Sequence, residues 1–228
     1  MNLRDESGFT LIELLVSCMI GVIVMFGTVV VMSAAKKDED LVNRRIVASQ
    51  TARPLLTRMV QELHSACVAP RITPILTGST DTSIIFLSKA GNAVTPTPDI
   101  HQITLTGTTL SEKTFAATGG SQPTWTFAGY PNTPTTNLQL ATNVSAPSGV
   151  AFRYFQFVNG ALSTTPMTPP LDSTEAAHAA VVDISLTVGS PHGTSTFDPK
   201  SPQTLNDSVD LRLENAGQYP NQDNLPCV

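Results

Sequence analysis

Positive charge is scarce in this chain. Lys and Arg number 13 against 18 Asp and Glu, the net charge is −5, and charged residues make up only 14% of the sequence. The deficit deepens along the chain, because from Ala69 onward six basic residues face eleven acidic ones. Nonspecific nucleic-acid affinity comes mainly from neutralising phosphates, so a dedicated DNA-binding surface is not expected. Motifs that announce catalysis are missing as well. The sequence has no HExxH, CxxC pair, P-loop or GxSxG, and His64, His101, His178 and His192 are scattered. His64 reads as a helix-surface residue, and His178 and His192 as strand-flanking or loop residues. Asp198, Asp207, Asp210 and Asp223 carry oxygens of the kind Ca2+ takes, but their spacing follows no known calcium loop and they read as a solvated acidic face. No enzyme, cofactor or metal site is therefore expected, and neither an internal repeat nor a second outer domain shows.

What is present is concentrated at the N-terminus. From Leu14 to Ala35 there are 22 consecutive residues without a charge, and a helix needs about 20 apolar residues to cross a hydrocarbon core. Glu13 opens this run, and a carboxylate within an apolar helix costs about 2.5 to 3.5 kcal/mol unless something pairs with it. A first-turn position at headgroup depth, where a negative charge suits the helix dipole, is the plainer account of it. Gly21 and Gly27 mark places for close helix packing or local unwinding. A secretory signal peptide fits poorly, because its apolar region spans about 7 to 15 residues and its cleavage site follows that region.

The words Gly8-Phe9-Thr10-Leu11-Ile12-Glu13-Leu14-Leu15-Val16, behind a short polar leader of residues 1–8, resemble the type IV prepilin signal. The resemblance implies that a prepilin peptidase cuts between Gly8 and Phe9 and that the new amino terminus at Phe9 is methylated. Glycine suits a cut site because a residue without Cβ lets the backbone leave helical geometry and approach a protease closely. By the same resemblance Glu13 serves fibre assembly, offsetting the Phe9 ammonium of a neighbouring subunit. The implied partners are other pilins or pseudopilins, an inner-membrane assembly platform, and membrane lipid before assembly. Arg4 is answered by Asp5 and Glu6, and Lys36 and Lys37 by Asp38, Glu39 and Asp40, so the positive-inside rule sets no orientation. A cytoplasmic N-terminus and an extracytoplasmic head follow from the resemblance alone.

Beyond the span of residues 9–35, residues 36–68 continue with helical periodicity through Leu41, Val42, Ile46, Ala52, Leu55, Leu56, Met59, Val60, Leu63 and Cys67. Pro54 lies inside this pattern and is expected to kink or split the helix near residues 51–54. Ala69-Pro70 ends it. Residues 69–228 then read as a β-rich head with one core, with strands at 83–88, 100–106, 124–127, 150–158, 180–188 and 208–213. Hairpins are expected around Gly107 and around Asn159-Gly160. The fold class is α+β, a long N-terminal helix packed on an antiparallel β-sheet head. Pro-rich stretches at 95–98, 130–136 and 164–170 read as exposed loops, and Trp125 and Tyr130 as core.

Cys18 falls in the apolar run and reads as a small apolar residue, while Cys67 and Cys227 belong to the outer part. An extracytoplasmic setting permits a disulfide between the last two, and two unpaired thiols are the alternative. The stretch 51–66, with Arg58, Glu62 and Leu63, and the words Val150-Ala151-Phe152-Arg153-Tyr154-Phe155 resemble the large minor pilins, J-type pseudopilins and W-type minor pilins. That implies a subunit near the tip of a pilus or of a type II secretion pseudopilus. A major pilin, or an adhesive or DNA-uptake pilin that binds ligand through head loops, is the alternative.

Overall fold

The computed structural model describes residues 10–67, 72–88, 97–121, 124–189 and 202–211. The chain falls into two compact units, residues 1–43 and 44–228. A single helix, α1, spans Leu11–His64. Thr10 starts it by accepting the amide of Glu13 at its Oγ1, 3.4 Å away, which satisfies one of the orphan donors of the first turn.

The expected break at Pro54 does not occur, since α1 runs through that residue. An interior proline costs about 3 kcal/mol. Against that cost, Ala52, Leu55, Met59 and Leu63 bury one face of the same helix completely or nearly so, and each large apolar side chain so placed contributes about 1.5 to 3 kcal/mol. Packing outweighs the local penalty. The helix ends at His64 rather than continuing to residue 68, and Ala66 bridges to Ser88 of the first strand.

The outer unit carries two main antiparallel sheets. The first joins β1 (Ser83–Ser88), β2 (Asp99–Thr106), β3 (Thr109–Phe115) and β6 (Thr136–Thr142) in the order β1-β2-β3-β6. The second centres on β10 (Ala179–Val188), flanked by β11 (Gln203–Asp210) and β8 (Phe152–Val158), with β9 (Ala161–Leu162) beside β8 and β7 (Val144–Ser145) beside β10. A small ribbon pairs β4 (Ala117–Ser121) with β5 (Thr124–Phe127). The expected α+β architecture is present. The strands at 83–88 and 124–127 match residue for residue, but the last described strand covers 203–210 instead of 208–213. No expected strand corresponds to β4, β6 or the two-residue β7, only the start of β3 is covered by the hairpin expected around Gly107, and the short helix α2 (Ser173–His178) is also unexpected.

Both expected hairpins form, for local reasons. Thr106 faces Thr109 across a turn in which Gly107 has φ +60°. Val158 faces Ala161 across Asn159 (φ +52°) and Gly160 (φ +81°), the paired positive φ that a type I′ turn requires.

Side chains alternate across a strand, and here both faces of β1 to β3 are covered. Ile84, Phe86, Ile103, Leu105 and Leu110 join Leu55, Met59 and Leu63 of α1 and Phe152, Tyr154, Val182, Ile184 and Leu186 of the second sheet in one large cluster. Ile85, Leu87, Ile100 and Phe115 form a second cluster with Cys67 and Ile72, against which Trp125, Phe127 and Tyr130 pack. Among the described residues the head therefore has two apolar clusters where one core is expected. Tyr130 meets Phe115 edge to face at 5.1 Å, so it serves as packing, as its sequence context suggests.

Candidate functional site

Two features stand apart from ordinary packing. In the first unit, every residue from Thr10 to Asn43 is exposed. Sixteen large apolar side chains between Leu11 and Met32 lie open. At about 1.5 to 3 kcal/mol for each side chain removed from water, such a surface calls for lipid or other subunits around it. The helix is long and apolar enough to cross a membrane. Glu13 sits in its first turn, its Oε2 3.5 Å from Thr10 Oγ1, while Ser17 Oγ donates to the Glu13 carbonyl at 2.6 Å. Nothing in the described chain neutralises the carboxylate. Gly8 and Phe9, the expected processing pair, lie outside the described residues.

Residues 3–29 match the family model described as the prokaryotic N-terminal methylation motif. That match supports a type IV prepilin-like N-terminus. Such a signal implies processing by prepilin peptidase and assembly with other pilins. An apolar membrane-anchoring helix fits the same class. No curated protein matches the chain.

The second feature is a chain of charges under α1 that sequence reading did not assemble. Arg58 donates from Nε to Glu62 Oε1 at 2.7 Å and from Nη2 to Glu112 Oε2 at 2.6 Å. The other oxygen of Glu112 lies 2.7 Å from His101 Nδ1. Strand pairing places His101 opposite Thr114 and Glu112 opposite Ile103, so the imidazole and the carboxylate are diagonal neighbours on one face of the sheet. That face also carries Phe86, whose ring stacks on His101 at 5.5 Å. Glu112 is almost wholly buried, its side chain only 4% exposed.

The environment divides the two carboxylates. Burial pushes Glu62 above the usual carboxylate range, and the hydrogen bond from Arg58 only partly opposes this. Burial pushes Glu112 the same way, but the His101 hydrogen bond and the positive charges of His101 and Arg58 outweigh it and hold Glu112 below that range. Arg58 is raised, chiefly by its hydrogen bond to Glu62. Glu62 Oε2 is buried without a hydrogen-bond partner among the described residues. Arg58 and Glu62 were visible as an i,i+4 pair on the helix. Their meeting with His101 and Glu112 required the sheet.

The remaining expectations separate cleanly. Cys67 is fully buried in the second cluster, and Cys227 lies outside the described residues. His64 is exposed, and His178 closes α2 just before β10. His192 lies outside the described residues. Asp207 and Asp210 are exposed on β11, and Asp198 and Asp223 fall outside the described residues.

Proposed function

We propose that this chain is a minor pilin or pseudopilin, stored in the membrane by α1 and then extracted into a thin fibre, at or near its tip. Prepilin peptidase cuts between Gly8 and Phe9, and Phe9 becomes the N-methylated terminus. Glu13 then offsets the Phe9 ammonium of an adjacent subunit, while residues 9–35 pack against the same segment of other pilins. The observation that carries this reading is the wholly exposed apolar N-terminal part of α1 with a single acid in its first turn. Lipid satisfies the apolar surface but leaves Glu13 expensive; a fibre of like subunits satisfies both.

The tip position rests on bulk. A head with two sheets and two apolar clusters limits how closely subunits stack along a thin shaft, which favours a low-copy component over a major pilin. In the extracytoplasmic setting we further propose that Cys67 pairs with Cys227, closing the outer unit into a covalent loop.

Intact mass and N-terminal sequencing of the membrane-extracted protein, with copies per fibre counted on the same preparation, test the reading. A terminus at methylated Phe9 and few copies per fibre support it. A terminus at Met1 removes the prepilin assignment, and a high copy number replaces the minor subunit with a major pilin.

A further inference from the structure

The Glu62–His101–Glu112 group has ligand chemistry that the prepilin reading does not use. One imidazole nitrogen and two carboxylate oxygens, drawn from α1, β2 and β3, lie within 4.8 Å of one another. Tetrahedral ligands at about 2.1 Å from an ion stand about 3.4 Å apart, so the set closes by a contraction of at most about 1.4 Å. His101 Nδ1 and Glu112 Oε1, now hydrogen-bonded at 2.7 Å, open by roughly 0.7 Å as the ion takes the place of the proton between them, which passes to solvent. The stack on Phe86 holds the imidazole plane, and the buried Glu112 carboxylate has little freedom to turn away.

Two further observations point to a cation. Glu62 Oε2 is a buried acceptor with no donor among the described residues, and a buried carboxylate oxygen left unmatched is costly. The positive group that bridges the two carboxylates, Arg58, has a side chain 45% exposed. It therefore has a path into solvent that Glu112 lacks, and a divalent ion on the same oxygens replaces its charge without unfolding the helix.

We propose that Glu62, His101 and Glu112 form a binding site for a divalent transition-metal ion of the zinc class, with Arg58 holding the two carboxylates together until the ion displaces it. The imidazole selects the class, because hard Ca2+ and Mg2+ favour all-oxygen sites whereas an imidazole with carboxylates suits Zn2+. The ion is structural in effect, since it joins the last turns of α1 to two strands of the first sheet.

The test uses the full chain in detergent at pH 7, stripped with chelator, then given ZnCl2 or CaCl2. Metal content after dialysis and thermal unfolding are both read. The expected result is one Zn2+ retained per chain and a Tm rise of about 5 °C or more at saturating Zn2+, with little change in Ca2+. His101→Gln is expected to lose both effects. Arg58→Gln separates a metal site from a plain ion-pair network: it is expected to start less stable and to regain its loss when Zn2+ is added. Absence of retained Zn2+ in the wild-type chain overturns the proposal, as does Zn2+ held equally by His101→Gln, which places the ion elsewhere. An Arg58→Gln variant that Zn2+ does not restore leaves a salt-bridge network and no site.

Discussion

Arg58 Nη2 and Glu112 Oε2 lie 2.6 Å apart although 54 residues separate them in sequence. That contact, continued to Glu62 on one side and His101 on the other, ties the end of α1 to the first sheet by charge as well as by packing. Ser65 and Ser88, whose hydroxyls are 2.5 Å apart, add a second polar tie just beyond the helix end.

Glu112→Gln removes the central charge of this network and leaves Arg58 and His101 without it. Breaking one side of a buried pair costs about 3 to 5 kcal/mol, and the exposure of Arg58 brings the expected loss nearer 2 to 3 kcal/mol. Chemical denaturation of the variant beside the wild type measures it. A loss under half a kcal/mol would show the network to be idle.

The same network sets a pH dependence in metal-free protein. Glu112 is held below its ordinary 4.5 in the fold, so its stabilising contribution is full above 4.5 and is lost as pH falls through the lowered value. The Tm gap between wild type and Glu112→Gln is therefore expected to narrow below pH 4.5. Glu62 has the opposite sign: its folded value lies above 4.5, so its contribution favours folding below 4.5 and is lost as pH rises through the raised value. Glu62→Gln is expected to gain on the wild type over that rise, and Tm series across pH 3 to 7 check both.

Pro54→Ala tests the balance within α1. Pro54 is exposed in a continuous helix, so the substitution restores a backbone donor without disturbing buried contacts. A stabilisation of about 1 to 3 kcal/mol is expected. A lower Tm would mean that the proline's geometry is needed to seat the helix on the sheet.

Replacing Gly8 with valine is expected to leave full-length precursor in the membrane, because a Cβ-branched residue crowds the scissile backbone. Immunoblotting against the wild-type protein reads the mobility shift; normal processing would place the cut elsewhere.

Glu13→Ala is expected to be processed normally yet to be lost from sheared fibres, since the Phe9 ammonium of the next subunit then has no partner. Undiminished incorporation would dispose of the charge-pair account while leaving the cleavage site intact.

Legibility followed the range of the physics involved. The apolar run, the acid that opens it and the prepilin words are contiguous, and their meaning needs no tertiary contact. The turn at Asn159-Gly160 was equally local, because positive φ at two successive residues selects few residue types. Strands β1 and β5 were readable from β-branched and aromatic residues. By contrast β3 (TLSEKTF) and β6 (TNLQLAT) are largely polar, so no apolar run marks them, and the two glycines of β4 (ATGGS) disfavour a strand.

The N-terminal span, its acid and the α+β order of elements are local properties of the chain, because hydrophobic runs and turn chemistry act over a few residues. The passage of α1 through Pro54, the apolar cover on both faces of β1 to β3 and the burial of Glu112 beside Arg58 and His101 arise only in the folded chain. Those outcomes depend on surfaces assembled from distant segments, where burial of Leu55, Met59 and Leu63 exceeds a local helix penalty and a charge is tolerated because opposite charges from other elements surround it.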